Sequence, residues 1–164
     1  MFRFLPFLFV LTACTNPYDR IAQLEKQTKE LQAQVDKQRE VVSLDLQSKC
    51  AAGAKTYFKE NWGSGDRDTI LLNYTNHYNK SSGKCFILIE YHFNLSRGGP
   101  SWANLITLSD AFEGTDYGKF SEHHEISYSP EFKATEIINE CIVTGTKCKS
   151  LEEFQNLSGP YMQN

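Results

Sequence analysis

Four histidines and five cysteines carry most of the chemistry open to this 164-residue chain. Glu90 and His92 are two residues apart, which puts them on one face of a strand. Glu122-His123-His124-Glu125 sets four metal-binding side chains in a row. Zinc takes three or four His, Cys or carboxylate ligands, usually at helical or turn spacing. Adjacent strand residues point to opposite faces, and no His-Glu-x-x-His motif is present. The quartet therefore reads as polar residues of an exposed loop, and no metal or other cofactor is expected. His77 lies among Tyr74, Tyr78 and asparagines. With Tyr78 it reads as a hydrogen-bonding hub or a binding residue, and His92 is the other candidate.

The cysteines divide into one and four. Cys50, Cys85, Cys141 and Cys148 form an even set, the pattern of disulfides in an exported domain. Redox activity usually needs Cys-x-x-Cys and a low-pKa thiolate, and Cys141 and Cys148 are spaced too widely for that. Four cysteines allow three pairings, between which the sequence does not choose. The expected pairs are Cys141–Cys148 across a turn and Cys50–Cys85 joining a helix to a hairpin. Nucleophile motifs are missing: no Gly-x-Ser-x-Gly, no phosphate loop, and no Ser-x-x-Lys with its companion penicillin-binding signatures. No catalytic residue is assigned, and a non-enzymatic protein is expected.

Cys14 stands apart. Arg3 precedes the short apolar run Phe4–Val10, and Leu11-Thr12-Ala13-Cys14 follows. A cationic start, a short apolar segment and small residues make a secretory signal. The run is too short to span a bilayer, which takes roughly 20 apolar residues. Leu-Thr-Ala-Cys resembles the lipobox of bacterial lipoprotein precursors. The resemblance implies a diacylglyceryl group on the Cys14 sulfur, cleavage before Cys14, and an acylated new amine, commonly a palmitate. It also implies a place in the cell envelope. Thr15 stands where an aspartate would retain such a protein at the inner membrane, so the outer membrane, facing the periplasm, is expected.

The elements that must carry these residues follow in order. Residues 1–13 read as signal peptide and 14–17 as a lipidated tether, with Pro17 placed to open a helix. From Tyr18 to Gly53 there is no glycine or proline, and good helix formers dominate. Residues 18–49 read as a helical stalk, about 48 Å long at 1.5 Å per residue. Ile21, Leu24, Thr28, Leu31, Val35, Gln38 and Val42 alternate in steps of three and four, a heptad seam suited to a parallel homodimeric coiled coil. From Val42 the apolar step becomes four, through Leu46, Cys50 and Ala54 to Tyr57 or Phe58. The stripe thereby turns from a coiled-coil partner to the chain's own domain. The helix is expected to end near Trp62.

Residues 50–164 read as a disulfide-bonded domain. Its strands are expected at Thr69–Tyr78 and Cys85–Phe93, joined as a hairpin, then Trp102–Leu108 and Ile137–Thr144, with Tyr117–His123 ambiguous. Arg97–Pro100 and Ser127–Pro130 read as loops. Ser150 and Glu153 have capping-box spacing ahead of a short last helix. The fold class is α+β: a long N-terminal helix, then a small, mainly antiparallel sheet domain with two disulfides. Aromatic residues make up 13 % of the chain and lie mostly beyond Tyr57, enough for a compact core. A net charge of −3 gives no strong field, so nucleic acid is excluded as a partner.

Asn76-His77-Tyr78-Asn79, Lys84-Cys85-Phe86, Asp110-Ala111-Phe112-Glu113, Cys148-Lys149-Ser150 and Glu153-Phe154 together resemble small, uncharacterised bacterial envelope domains. That resemblance implies no activity. The expected function is a lipid-anchored envelope protein holding a small binding domain off the membrane, with an envelope protein or peptidoglycan as partner. The rivals are an oligomeric spacer whose stalk is the working part, and a hydrolase using His77 or His92.

Overall fold

The computed structural model describes residues 16–95, 101–126 and 134–163. Cys14 and the loops at Arg97–Pro100 and Ser127–Pro130 lie outside the described residues. The chain divides into two compact units, residues 1–41 and 42–164.

Helix α1 runs from Pro17 to Asn61. Asn16 opens it, its side-chain Oδ1 accepting from the Tyr18 N–H at 3.2 Å. In the first unit every described side chain is exposed. In the second unit the four-residue stripe does what its spacing predicts. Cys50 and Ala54 are fully buried, and Tyr57 and Phe58 pack beside them.

Six antiparallel strands follow: β1 (Thr69–Asn79), β2 (Lys84–Asn94), β3 (Trp102–Asp110), β4 (Asp116–Ile126), β5 (Ala134–Val143) and the two-residue β6 (Thr146–Lys147). They lie side by side in chain order. The ambiguous stretch is thus β4, and the last long strand begins at Ala134 rather than Ile137. A final helix, α2 (Leu151–Ser158), leads into a 3-10 turn at Gly159–Tyr161. The α+β class holds, with disulfides Cys50–Cys85 and Cys141–Cys148.

The sheet has a core on each face. On one, α1 packs through Cys50 and Ala54 against Cys85, Ile87 and Ile89. On the other, α2 packs through Phe154 against Ile106, Phe120 and Val143. Strand β2 serves both cores, so its middle is apolar without alternation: Phe86 is as buried as its neighbours Cys85 and Ile87. The Ser150 hydroxyl caps α2, accepting from the Glu153 N–H at 3.1 Å. Glu153 reaches back to the Lys149 N–H at 2.8 Å, one residue earlier than a standard capping box.

Gly118 on β4 lets α2 approach. A Cβ there would lie 3.3 Å from the Phe154 ring and 3.2 Å from Val143 Cγ2. Both neighbours are about 1 % exposed and have nowhere to move. Gly118→Val should therefore destabilise the domain by about 1–3 kcal/mol, the usual cost of overpacking. Urea denaturation measures it, and an unchanged midpoint would contradict this packing.

Candidate functional site

The two singled-out histidines sit at opposite ends of the β1–β2 hairpin. His77 pairs with Phe86 and His92 with Leu71, six positions away along β1. That is about 20 Å at 3.4 Å per residue, too far to share a substrate. His77 is half-buried, and Tyr78 points to the other face, into the α1 core. The Tyr78 N–H donates to Gln47 Oε1 at 3.0 Å.

The hydrogen-bonding hub at this end is Asn79, which is 4 % exposed. Its Nδ2 donates to the Pro160 and Gln163 carbonyls, each at 2.9 Å. Its Oδ1 accepts from the Ser82 N–H at 3.0 Å. One amide thus ties the β1–β2 turn to the C-terminal 3-10 turn.

His92 belongs to a different group. Its ring stacks toward Trp102 at 6.2 Å between centroids, and Trp102 stacks on His124 at 3.7 Å. The register explains the ladder. Trp102 faces His124 across β3–β4, while His92 faces Asn104 and Asn104 faces Glu122. All project from the α2 face, beyond α2 itself. Asn104 and Glu122 are buried, and Asn104 Nδ2 donates to Glu122 Oε1 at 3.3 Å. His124 Nε2 lies 3.5 Å from the same carboxylate oxygen.

The reading of Glu122–Glu125 as exposed loop is corrected here. The quartet is strand, and Glu122 is buried on the α2 face, where the β3–β4 register sets it beside Asn104, while His124 is half-buried. His123 points the other way, its Nδ1 3.1 Å from Asn139 Oδ1. Asn139 is the extra residue of a bulge opposite Ser121 and Glu122. Asn104 and the burial of Glu122 escaped sequence reasoning. The only available signal was two polar pairs at strand spacing, Trp102 with Asn104 and Glu122 with His124, which become a cluster only in register.

Among the described residues, no group of three or more His, Cys, Asp or Glu side chains is placed to hold a metal ion. The His124 Nε2 atom is buried and makes no hydrogen bond, and so is Asn104 Oδ1. The aromatic side chains at this end of β2 and β3 divide between the two faces of the sheet. Tyr91 and Phe93 stack together at 4.7 Å, Tyr91 meets Trp62 edge-on, and Trp102 lies on the opposite face.

Lys84 lies 3.1 Å from Asp110 and also meets Glu113. Its pKa is raised above the ordinary lysine value, first by the Glu113 hydrogen bond and then by Asp110. Asp110 Oδ1 accepts from the Phe112 N–H at 2.9 Å, closing the β3–β4 turn. Asn79, the Lys84–Asp110–Glu113 group and the Ser150–Glu153 cap are thus structural braces.

Both disulfides are shut away, with Cys50 and Cys85 fully buried and Cys141 and Cys148 under 10 % exposed. Their Cα–Cα distances, 5.2 and 5.0 Å, suit structural bridges. The sheet face opposite α2 is open over β3–β5. There Phe93, Leu95, Ala103, Leu105, His123 and Asn139 line a shallow groove of about 500 Å³ with an apolar floor and a polar rim. No described helix is long and apolar enough to cross a membrane. No protein-family model, no curated protein and no solved structure matches this chain.

Proposed function

We propose that this is a lipid-anchored protein of the bacterial cell envelope, in which a helical stalk holds a small, non-enzymatic binding domain off the membrane. The observation that carries the reading is the first part of α1. Residues 17–41 form helix, about 38 Å of it at 1.5 Å per residue, and no side chain there is buried. A helix that long, lying between Cys14 and a closed domain, suits an arm. Buried disulfides support an oxidising compartment. The separation of His77 from His92 favours binding over hydrolysis by those two residues. The open groove on β3–β5 is the face assigned to the ligand, an envelope protein or peptidoglycan. The resemblance at Cys14 supports a diacylglyceryl anchor, and Thr15 an outer-membrane address facing the periplasm.

Cys14→Ser tests the anchor. The wild type should incorporate labelled palmitate and partition into detergent, and the variant should do neither. Two or more acyl chains hold a protein stably, at about 0.8 kcal/mol per buried methylene, so partitioning should change from nearly complete to nearly absent. A variant that still labels would contradict the assignment.

A further inference from the structure

We infer that α1 from Arg20 to Val42 is a self-association surface, which pairs in parallel and in register with the same stretch of a second copy. Ile21, Leu24, Leu31, Val35 and Val42 are 53 %, 59 %, 61 %, 44 % and 51 % exposed, an apolar seam that its own chain leaves uncovered. The core positions of the heptad are occupied in a specific way. Ile21, Thr28, Val35 and Val42, all β-branched, take the a positions. Leu24, Leu31 and Gln38 take the d positions. β-Branched residues at a with leucine at d favour two parallel strands.

The seam residues also set a shallow depression on the helix surface. Ile21, Leu24, Glu25 and Thr28 line it, with Lys29 at the rim. In a parallel pair a d-position side chain enters a hole made by the facing a, d and e residues and the next a. Those four residues are the hole for Leu24 of the second copy. The polar layers are compatible with burial. The Thr28 hydroxyl already donates to the Leu24 carbonyl at 2.8 Å, so covering it leaves no unpaired donor. Gln38 would face Gln38 of the second copy, amide to amide, and a polar core layer fixes register.

The flanking charges agree. Arg20 at a g position faces Glu25 at e of the second copy, and the following pairs, Gln27 with Gln32 and Gln34 with Arg39, contain no like charges. The seam also has a defined end. The next d and a positions are Asp45 and Lys49, paired with each other at 2.9 Å on the helix surface. Beyond Val42 the apolar stripe turns toward Cys50 and Ala54 and the domain core. The parallel sense rests partly on the proposed anchor, which would hold both N-termini in one membrane and raise their effective concentration. The seam itself does not depend on it.

Full-length chains carrying Gln38→Cys at a core position, or Ala33→Cys on the outer face, are oxidised in their own membrane. The expected result is that most of the Gln38→Cys protein becomes a covalent dimer of twice the chain mass, while Ala33→Cys stays monomeric. Adding Leu24→Asp with Leu31→Asp should abolish the dimer. Equal cross-linking at both sites, a dimer that survives the aspartates, or a product with a protein of another mass would overturn the inference. The same variants purified in a Cys14→Ser background separate it from the anchor. A Gln38→Cys dimer there at high concentration supports the seam whatever the state of Cys14. A protein monomeric both there and in the membrane refutes it while leaving acylation to be judged by its own label.

Discussion

Replacing Cys50 and Cys85 together by alanine is expected to destabilise the domain by about 4 kcal/mol. The bridge spans 35 residues. The chain-entropy model gives roughly 3.8 kcal/mol for a loop of that size, by restricting the unfolded chain. The Cys141–Cys148 bridge spans only 7, for which the same model gives roughly 2.3 kcal/mol. Small domains are stable by only about 5–15 kcal/mol, so the first loss is a large part of the whole. It also falls where α1 meets the sheet, because Cys50 and Cys85 are both fully buried in that core. Urea denaturation of the two double variants decides the order. If the Cys141–Cys148 loss costs as much, or peptide mapping joins Cys50 to Cys148, the pairing argument fails.

Phe154→Ala should cost about 3–5 kcal/mol, as deletion of a buried phenylalanine does. Phe154 is 1 % exposed, and its ring centroid lies 5.9 Å from that of Phe120. It is the one fully buried apolar side chain on α2, flanked by half-buried Leu151 and Leu157. Eight residues cannot sustain a helix alone. The loss should therefore be structural as well as energetic. Amide exchange should show residues 150–158 unprotected in the variant while β2 and β3 keep their protection. A loss below about 1 kcal/mol would mean that the second core tolerates the cavity, contrary to the packing described.

Much of this fold was legible in the sequence because local rules and tertiary needs agree. α1 has no breaker before Gly53, and its change of phase at Val42 marks where burial begins. The β1–β2 hairpin and the Ser150 cap follow from turn and capping chemistry. β4 resisted for a physical reason. Its α2-facing residues run Gly118, Phe120, Glu122, His124, half of them polar, so burial and hydropathy part company. Glu122 tolerates burial because Asn104 and His124 meet it, and that pairing is set by register, which no local pattern encodes. The Asn79 hub was hidden likewise, since its partners lie at the far end of the chain.

The central claim is that Cys14 carries the membrane anchor of the mature protein. The most direct measurement is the intact mass of the protein extracted from envelopes, with fragmentation of its N-terminal peptide. The account predicts a chain that begins at Cys14, carries a diacylglyceryl group on that sulfur, and holds its four other cysteines as disulfides. A chain that still carries residues 1–13, or that begins at Cys14 with an unmodified thiol, would contradict it.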